Sequence, residues 1–177
     1  MSNSSLFRIA GFCAILSLVV YVVAFGLFST NAGLMTTSFI VATVALLVVL
    51  YALYVVHRPE SSGLALGAGL ITAIGTIASL FAGDPAVPAN AFLYGASSVV
   101  FGVGILLFGW LAYKSSKMPR LLAYIVLFAG ALSLLTGLLF LAGSSDLGNQ
   151  LNFASILPFF AWMIWLAYLF LTGKLKA

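Results

Sequence analysis

Charge is what this sequence has least of: ten of its 177 residues are Asp, Glu, Lys or Arg, 6% of the chain. A soluble domain carries about a quarter of its residues as charges, so no water-facing surface can be assembled from this inventory. Soluble globular enzymes, disordered tails and nucleic-acid modules are excluded together. The formal net charge of +4 does not reopen the last class, because no basic cluster is dense enough to neutralise many phosphates. A single cysteine excludes a disulfide framework and a cysteine-rich metal site. A single histidine excludes haem held between two imidazoles, and zinc catalysis, which takes about three protein ligands, finds no cluster. What the sequence has in quantity is apolar side chains, 64% of the total. They belong to an integral membrane protein.

A hydrocarbon core about 30 Å thick takes about 20 apolar residues per helix. Runs of that kind extend from Ile9 to Phe28, Leu34 to Val56, Gly63 to Phe81, Phe92 to Tyr113, Leu121 to Leu141 and Phe153 to Leu171. None carries a charge in its interior, and none alternates apolar with polar residues as a barrel strand does, so helices are the spanning structure expected. The connections, among them Ser144 to Asn152, are too short to fold alone. The expected fold is therefore all-α: one bundle of six transmembrane helices over residues 1–177.

Position of the charges sets the expected topology. Arg8, Arg58, Lys114, Lys117, Arg120, Lys174 and Lys176 lie before the first span or after the second, fourth and sixth, whereas Asp84 and Asp146 occupy the opposite connections. The positive-inside rule then places both termini in the cytoplasm. Tyr51, Tyr54, Trp110, Tyr113, Trp165 and Tyr168 gather at the cytoplasmic ends of the even spans, as an interfacial belt requires. The first apolar run exceeds a signal-peptide core and lacks a small-residue cleavage site after it, so retention as a span is expected. Arg58, Lys114, Lys117 and Arg120 are expected to anchor the spans at the inner leaflet.

The odd spans share a pattern of small residues: Ala10, Gly11, Ala14 and Ser17; Ala68, Gly69, Thr72 and Gly75; Ala129, Gly130, Ser133 and Thr136. The even spans end alike, in Tyr51-Ala52-Leu53-Tyr54, Trp110-Leu111-Ala112-Tyr113 and Trp165-Leu166-Ala167-Tyr168. One reading is three tandem helical hairpins related by an axis along the membrane normal; the other is coincidence in a biased composition. Either way, small residues let backbones approach where lipid supplies no hydrophobic drive. The third span, richest in them, is the expected central helix.

No ionisable residue lies within a span, which argues against a proton pump, a proton-coupled transporter and a voltage sensor. Span hydroxyls are expected to bond the carbonyl one turn back. His57 is read as an interfacial side chain beside Arg58, with a metal-binding pair to Met118 as the remote alternative. Asp84 and Asp146 are read as loop residues, and Cys13 as a small buried hydrophobe. No nucleophile stands beside a base, and no catalytic, metal or cofactor assignment follows. Pro158, about six residues into the sixth span, frees a carbonyl, so a ligand pocket is sought around Asn152, Ser155 and Pro158.

The stretch Gly109-Trp110-Leu111-Ala112-Tyr113-Lys114-Ser115-Ser116-Lys117-Met118-Pro119-Arg120-Leu121 resembles a recurrent feature of small six-helix bacterial membrane proteins known as a family of unknown function. Arg8-Ile9-Ala10-Gly11 and the segment from Leu157-Pro158 to Gly173 fit the same pattern loosely. A hairpin-repeat family of acid-resistance membrane proteins is a more distant resemblance, through the glycine-rich spans. Neither implies an activity or site residues. The expected role is a non-catalytic accessory subunit or self-associating scaffold in the bacterial plasma membrane, partnered by lipids, by other membrane subunits or by copies of itself. The alternative is a passive channel, or a binder or carrier of a neutral or lipid-like ligand such as a quinone, carotenoid or lipid.

Overall fold

A computed structural model describes residues 3–26, 32–83 and 87–175. Six helices follow one another: α1 (Asn3–Gly26), α2 (Ala32–His57), α3 (Ser62–Ala82), α4 (Pro88–Lys114), α5 (Arg120–Leu141) and α6 (Ser145–Leu171). All six are long and apolar enough to cross a membrane. In hydrocarbon each backbone N–H and C=O must be satisfied within the chain, which a helix does locally. Pro88 stands at the first turn of α4, where its missing N–H costs nothing. Gly143 and Gly173 close α5 and α6 at φ of 78° and 66°. In each closure the next residue bonds to the carbonyl five residues back, Ser144 N–H to that of Leu139 at 2.9 Å and Lys174 N–H to that of Leu169 at 3.1 Å, a geometry that favours glycine at the left-handed position.

The helices form a closed ring in chain order, each packed on its sequence neighbours and α1 packed on α6. Phe7 and Phe170 stack with centroids 5.5 Å apart where the first and last helices meet. That end of the bundle also holds Arg8, Arg58, Lys114, Lys117, Arg120 and Lys174 and is called the basic end below. Lys176, Asp84 and the connection at 27–31 lie outside the described residues.

α6 begins eight residues earlier than its apolar run, at Ser145 rather than Phe153. The expected connection from Ser144 to Asn152 is thus largely the first two turns of a helix. Asp146 lies in that first turn, where a negative charge suits the helix dipole. At 1.5 Å per residue, α6 is about 40 Å long and outreaches a hydrocarbon core about 30 Å thick, so its polar start needs no contact with lipid tails. α1 and α4 likewise begin before their apolar runs.

The expectation of a central third span is overturned. In its most apolar stretch α2 is 50% buried and α3 only 28%. Small side chains permit close approach to one neighbour, not enclosure by several. A methyl group at Gly75 would lie 2.7 Å from the Phe101 Cα of α4, and one at Gly104 would lie 2.6 Å from the Thr72 nitrogen of α3. α2 instead turns Leu46, Val49, Leu50, Leu53 and Val56, all buried, into the interior.

The tightest seam joins α4 to α5. Gly95, Gly102 and Gly109 recur every seven residues on α4, and Gly130 and Gly137 do so on α5, a period that keeps them on one helical face. A methyl at Gly102 would lie 2.6 Å from the Leu134 nitrogen, at Gly130 2.8 Å from the Leu106 nitrogen, and at Gly137 2.6 Å from the Val99 nitrogen. Backbone meets backbone here. The small-residue stripes of the odd helices are not equivalent in space: Gly11 of α1 packs on Leu171 of α6 and Ser17 donates to the Ala42 carbonyl of α2 at 3.1 Å, whereas α3 and α5 both set their stripes on α4. Antiparallel hairpins succeed one another, but their threefold relation breaks at this seam.

Candidate functional site

The two halves of the ring interior differ. Towards the basic end it is filled: Phe108, Ile105, Leu46, Val49, Leu53, Met163, Leu166 and Trp162 are each at most 2% exposed. In the opposite half, aromatic and polar side chains from four helices converge. Tyr21 of α1 lies edge-on to Phe39 of α2 at 5.8 Å and to Phe159 of α6 at 6.4 Å, and shares a hydrogen bond with Thr43. Tyr94 of α4 packs on Phe140 at 5.1 Å and shares a hydrogen bond with Asn152 of α6. Phe101 of α4 meets Phe159 at 5.9 Å.

Phe159 of α6 meets rings of both α1 and α4, and α4 and α6 are not neighbours in the ring, so these side chains face the bundle axis. Tyr21, Phe39, Tyr94, Phe101, Asn152 and Phe159 nevertheless keep accessible surface and are only half-buried. We read these inward-facing, part-exposed groups as the lining of a recess. Its floor is Trp162, whose ring lies 5.7 Å from that of Phe159 and which is 1% exposed. The lining offers aromatic faces, two phenol hydroxyls, one amide and no charge: it suits a neutral molecule with an apolar body and one or two polar atoms.

Of the three residues singled out in the sequence, Asn152 reaches this recess through Tyr94. Ser155 is buried, and its hydroxyl donates to the Asn152 carbonyl of its own helix at 2.7 Å. Pro158 lies inside α6 beside Phe159, and its ring denies the Ala154 carbonyl a helical donor. Tyr21, Tyr94 and Phe159 escaped sequence reasoning. No local signal separates the two tyrosines from an interfacial belt: Tyr94 stands only two residues into its apolar run. The hydroxyls of Thr72, Thr76 and Ser133 donate as expected to carbonyls four residues back at 2.7, 2.8 and 2.9 Å, whereas that of Thr136 is buried without a hydrogen-bond partner among the described residues.

A second polar constellation ties two loops together at the basic end. His57 is 1% exposed, with Nδ1 3.2 Å from Glu60 Oε2. Ser115 Oγ donates to Glu60 Oε1 at 2.5 Å. Lys117 donates its backbone N–H to Ser115 Oγ at 3.1 Å and its ammonium to the Val56 carbonyl at 3.3 Å. The reading of His57 as an interfacial side chain beside Arg58 is therefore corrected: it is buried and joined to Glu60, three residues on, which turns back because Pro59 ends the helix. Glu60 stands between His57 and Ser115, so the imidazole does not reach the serine proton and no nucleophile–base pair forms. His57 Nε2 has no hydrogen-bond partner among the described residues and the ring faces Phe108 at 6.4 Å. Met118 packs in the apolar core. Among the described residues no three His, Cys, Asp or Glu side chains gather as metal ligands. Lys117, expected as a lipid anchor, is bonded within this latch, whereas Arg58, Lys114 and Arg120 remain exposed.

Asp146 lies on the surface, beside an open depression of about 330 Å³ lined by Gly143 to Leu147, with Asp84 outside the described residues. Residues 86–173, which cover α4, α5 and α6, match the family described as Domain of unknown function (DUF4386). With six apolar helices, this fits a small membrane protein of unknown function. No curated protein and no solved structure matches the chain.

Proposed function

Starting from a chain whose second half carries a domain of unknown function, we propose a non-catalytic, multi-pass membrane protein that binds a neutral, ring-bearing or lipid-like molecule in the recess. One observation carries this reading: Tyr21, Tyr94, Asn152 and Phe159 face one another across the bundle yet keep accessible surface, above a floor that is fully buried. The filled basic half favours a closed-ended binder over a passive channel. A scaffold or accessory role drew on the small-residue stripes, and those stripes are occupied within the chain, on Leu171, on Phe101 and along the α4–α5 seam. With the basic end in the cytoplasm of a bacterial plasma membrane, the recess opens on the outer half of the bilayer.

Trp162 provides the test, because it forms the floor. In a Trp110→Phe/Trp165→Phe variant its fluorescence is expected to be quenched saturably by a short-chain benzoquinone, a neutral ring-bearing probe. Asn152→Leu, which removes the amide and its bond to Tyr94, is expected to weaken that quenching at least tenfold. Quenching that rises linearly and equally in both proteins would refute the reading.

A further inference from the structure

The outward face of α4 and α5 at the basic end carries three aromatic rings in a row. Trp110 and Tyr113 stack with centroids 6.1 Å apart, and Tyr113 crosses to Tyr124 of α5 at 5.9 Å. All three are at least 43% exposed, so they look outward rather than into the bundle. Two cations flank them. Lys114 holds its ammonium 4.8 Å above the Trp110 ring, and Arg120, one helical turn before Tyr124, is exposed. Further along α5, Phe128 is 58% exposed on the same face, four residues beyond Tyr124.

We infer that this face of the α4–α5 pair is a binding site for one anionic phospholipid of the surrounding leaflet. Lys114 and Arg120 take the phosphate, the Tyr113 and Tyr124 hydroxyls lie at headgroup depth, and an acyl chain runs down over Phe128. Charge complementarity decides the headgroup. Two exposed cations stand at the adjoining ends of α4 and α5, and Glu60, the one acid described at this end, is bonded to His57 and Ser115. The glycine seam matters here too, since it draws α4 and α5 close enough for Tyr113 and Tyr124 to meet. The two other lysines described at this end are engaged within the chain. Lys174 lies over a single ring, Tyr168, at 4.7 Å and donates to its hydroxyl, and Lys117 is turned to the Val56 carbonyl.

Native mass spectrometry of the detergent-purified chain titrated with phosphatidylglycerol or phosphatidylcholine tests this. The wild type is expected to hold one phosphatidylglycerol more tightly than any further copy, and to show no such preference for phosphatidylcholine. Lys114→Gln/Arg120→Gln, exposed positions whose change leaves the interior intact, is expected to weaken that first binding at least tenfold. Lys174→Gln is expected to leave it unchanged. Equal retention of the two lipids, or a double variant that binds like the wild type, would overturn the inference. So would a Lys174→Gln loss as large as that of the double variant, since it would show a diffuse charge effect rather than a site.

Discussion

Leucine in place of Gly102 is expected to abolish the α4–α5 seam and lower stability by about 3 kcal/mol or more. Overpacking ordinarily costs about 1–3 kcal/mol because flexible neighbours give way. Here the obstacles to even a methyl group are the Leu134 nitrogen at 2.6 Å and the Gly130 oxygen at 2.9 Å, and backbone cannot rotate aside. The surrounding lipid makes this worse. With no hydrophobic drive between helices, close packing is itself the source of association, so a separation of α4 from α5 has nothing to offset it. Gly67→Ala is the matched contrast: nothing lies within 4 Å of a methyl group there, and alanine is the better helix former by up to about 1 kcal/mol. Thermal unfolding in mild detergent is expected to move down for the first variant and to stay level or rise for the second. Equal, small shifts would show that the glycine periodicity has no packing role.

Trp162→Ala is expected to have the second large effect. Truncating a buried tryptophan costs about 3–5 kcal/mol in soluble proteins, part of it lost transfer from water and part the cavity left behind. Within a bilayer the unfolded helix still lies in hydrocarbon, so the transfer part is small and the loss of packing remains. A value near the lower end, about 3 kcal/mol, follows. The same variant removes the floor of the recess. Wild-type proteoliposomes are accordingly expected to pass glycerol no faster than empty vesicles. A wild-type leak, or a Trp162→Ala protein as stable as its parent, would contradict a filled basic half.

The spans were legible because charge is so scarce that its positions delimit them: Arg58, Lys114 and Arg120 each stand within one residue of a helix end. The start of α6 was not, since a helix that leaves the hydrocarbon no longer needs apolar residues, and Asp146, Asn149, Gln150 and Asn152 read as loop. Placing the third span at the centre failed for a related reason. Small residues report how near one neighbour comes, whereas burial depends on how many neighbours there are. Large side chains turned to the interior, such as Leu46 and Leu53, make α2 the more enclosed. The glycines at 95, 102 and 109 were in plain view, but their seven-residue period has meaning only beside Gly130 and Gly137 of the next helix. His57 and Glu60 are three residues apart and their pairing was within reach. Its extension to Ser115, 55 positions on, depends on two loops meeting at one end of the ring. The recess was least legible, because Tyr21, Tyr94 and Asn152 are scattered in sequence and nothing local sets them apart from an interfacial belt.

The most direct test of the central claim is native mass spectrometry of the protein released gently from its own membranes. The account predicts the mass of one chain plus one neutral molecule, retained by the wild type and lost from Asn152→Leu, independently of any anionic phospholipid bound at Lys114 and Arg120. A wild-type chain that carries phospholipid alone, indistinguishable in this respect from the Asn152→Leu variant, would contradict it.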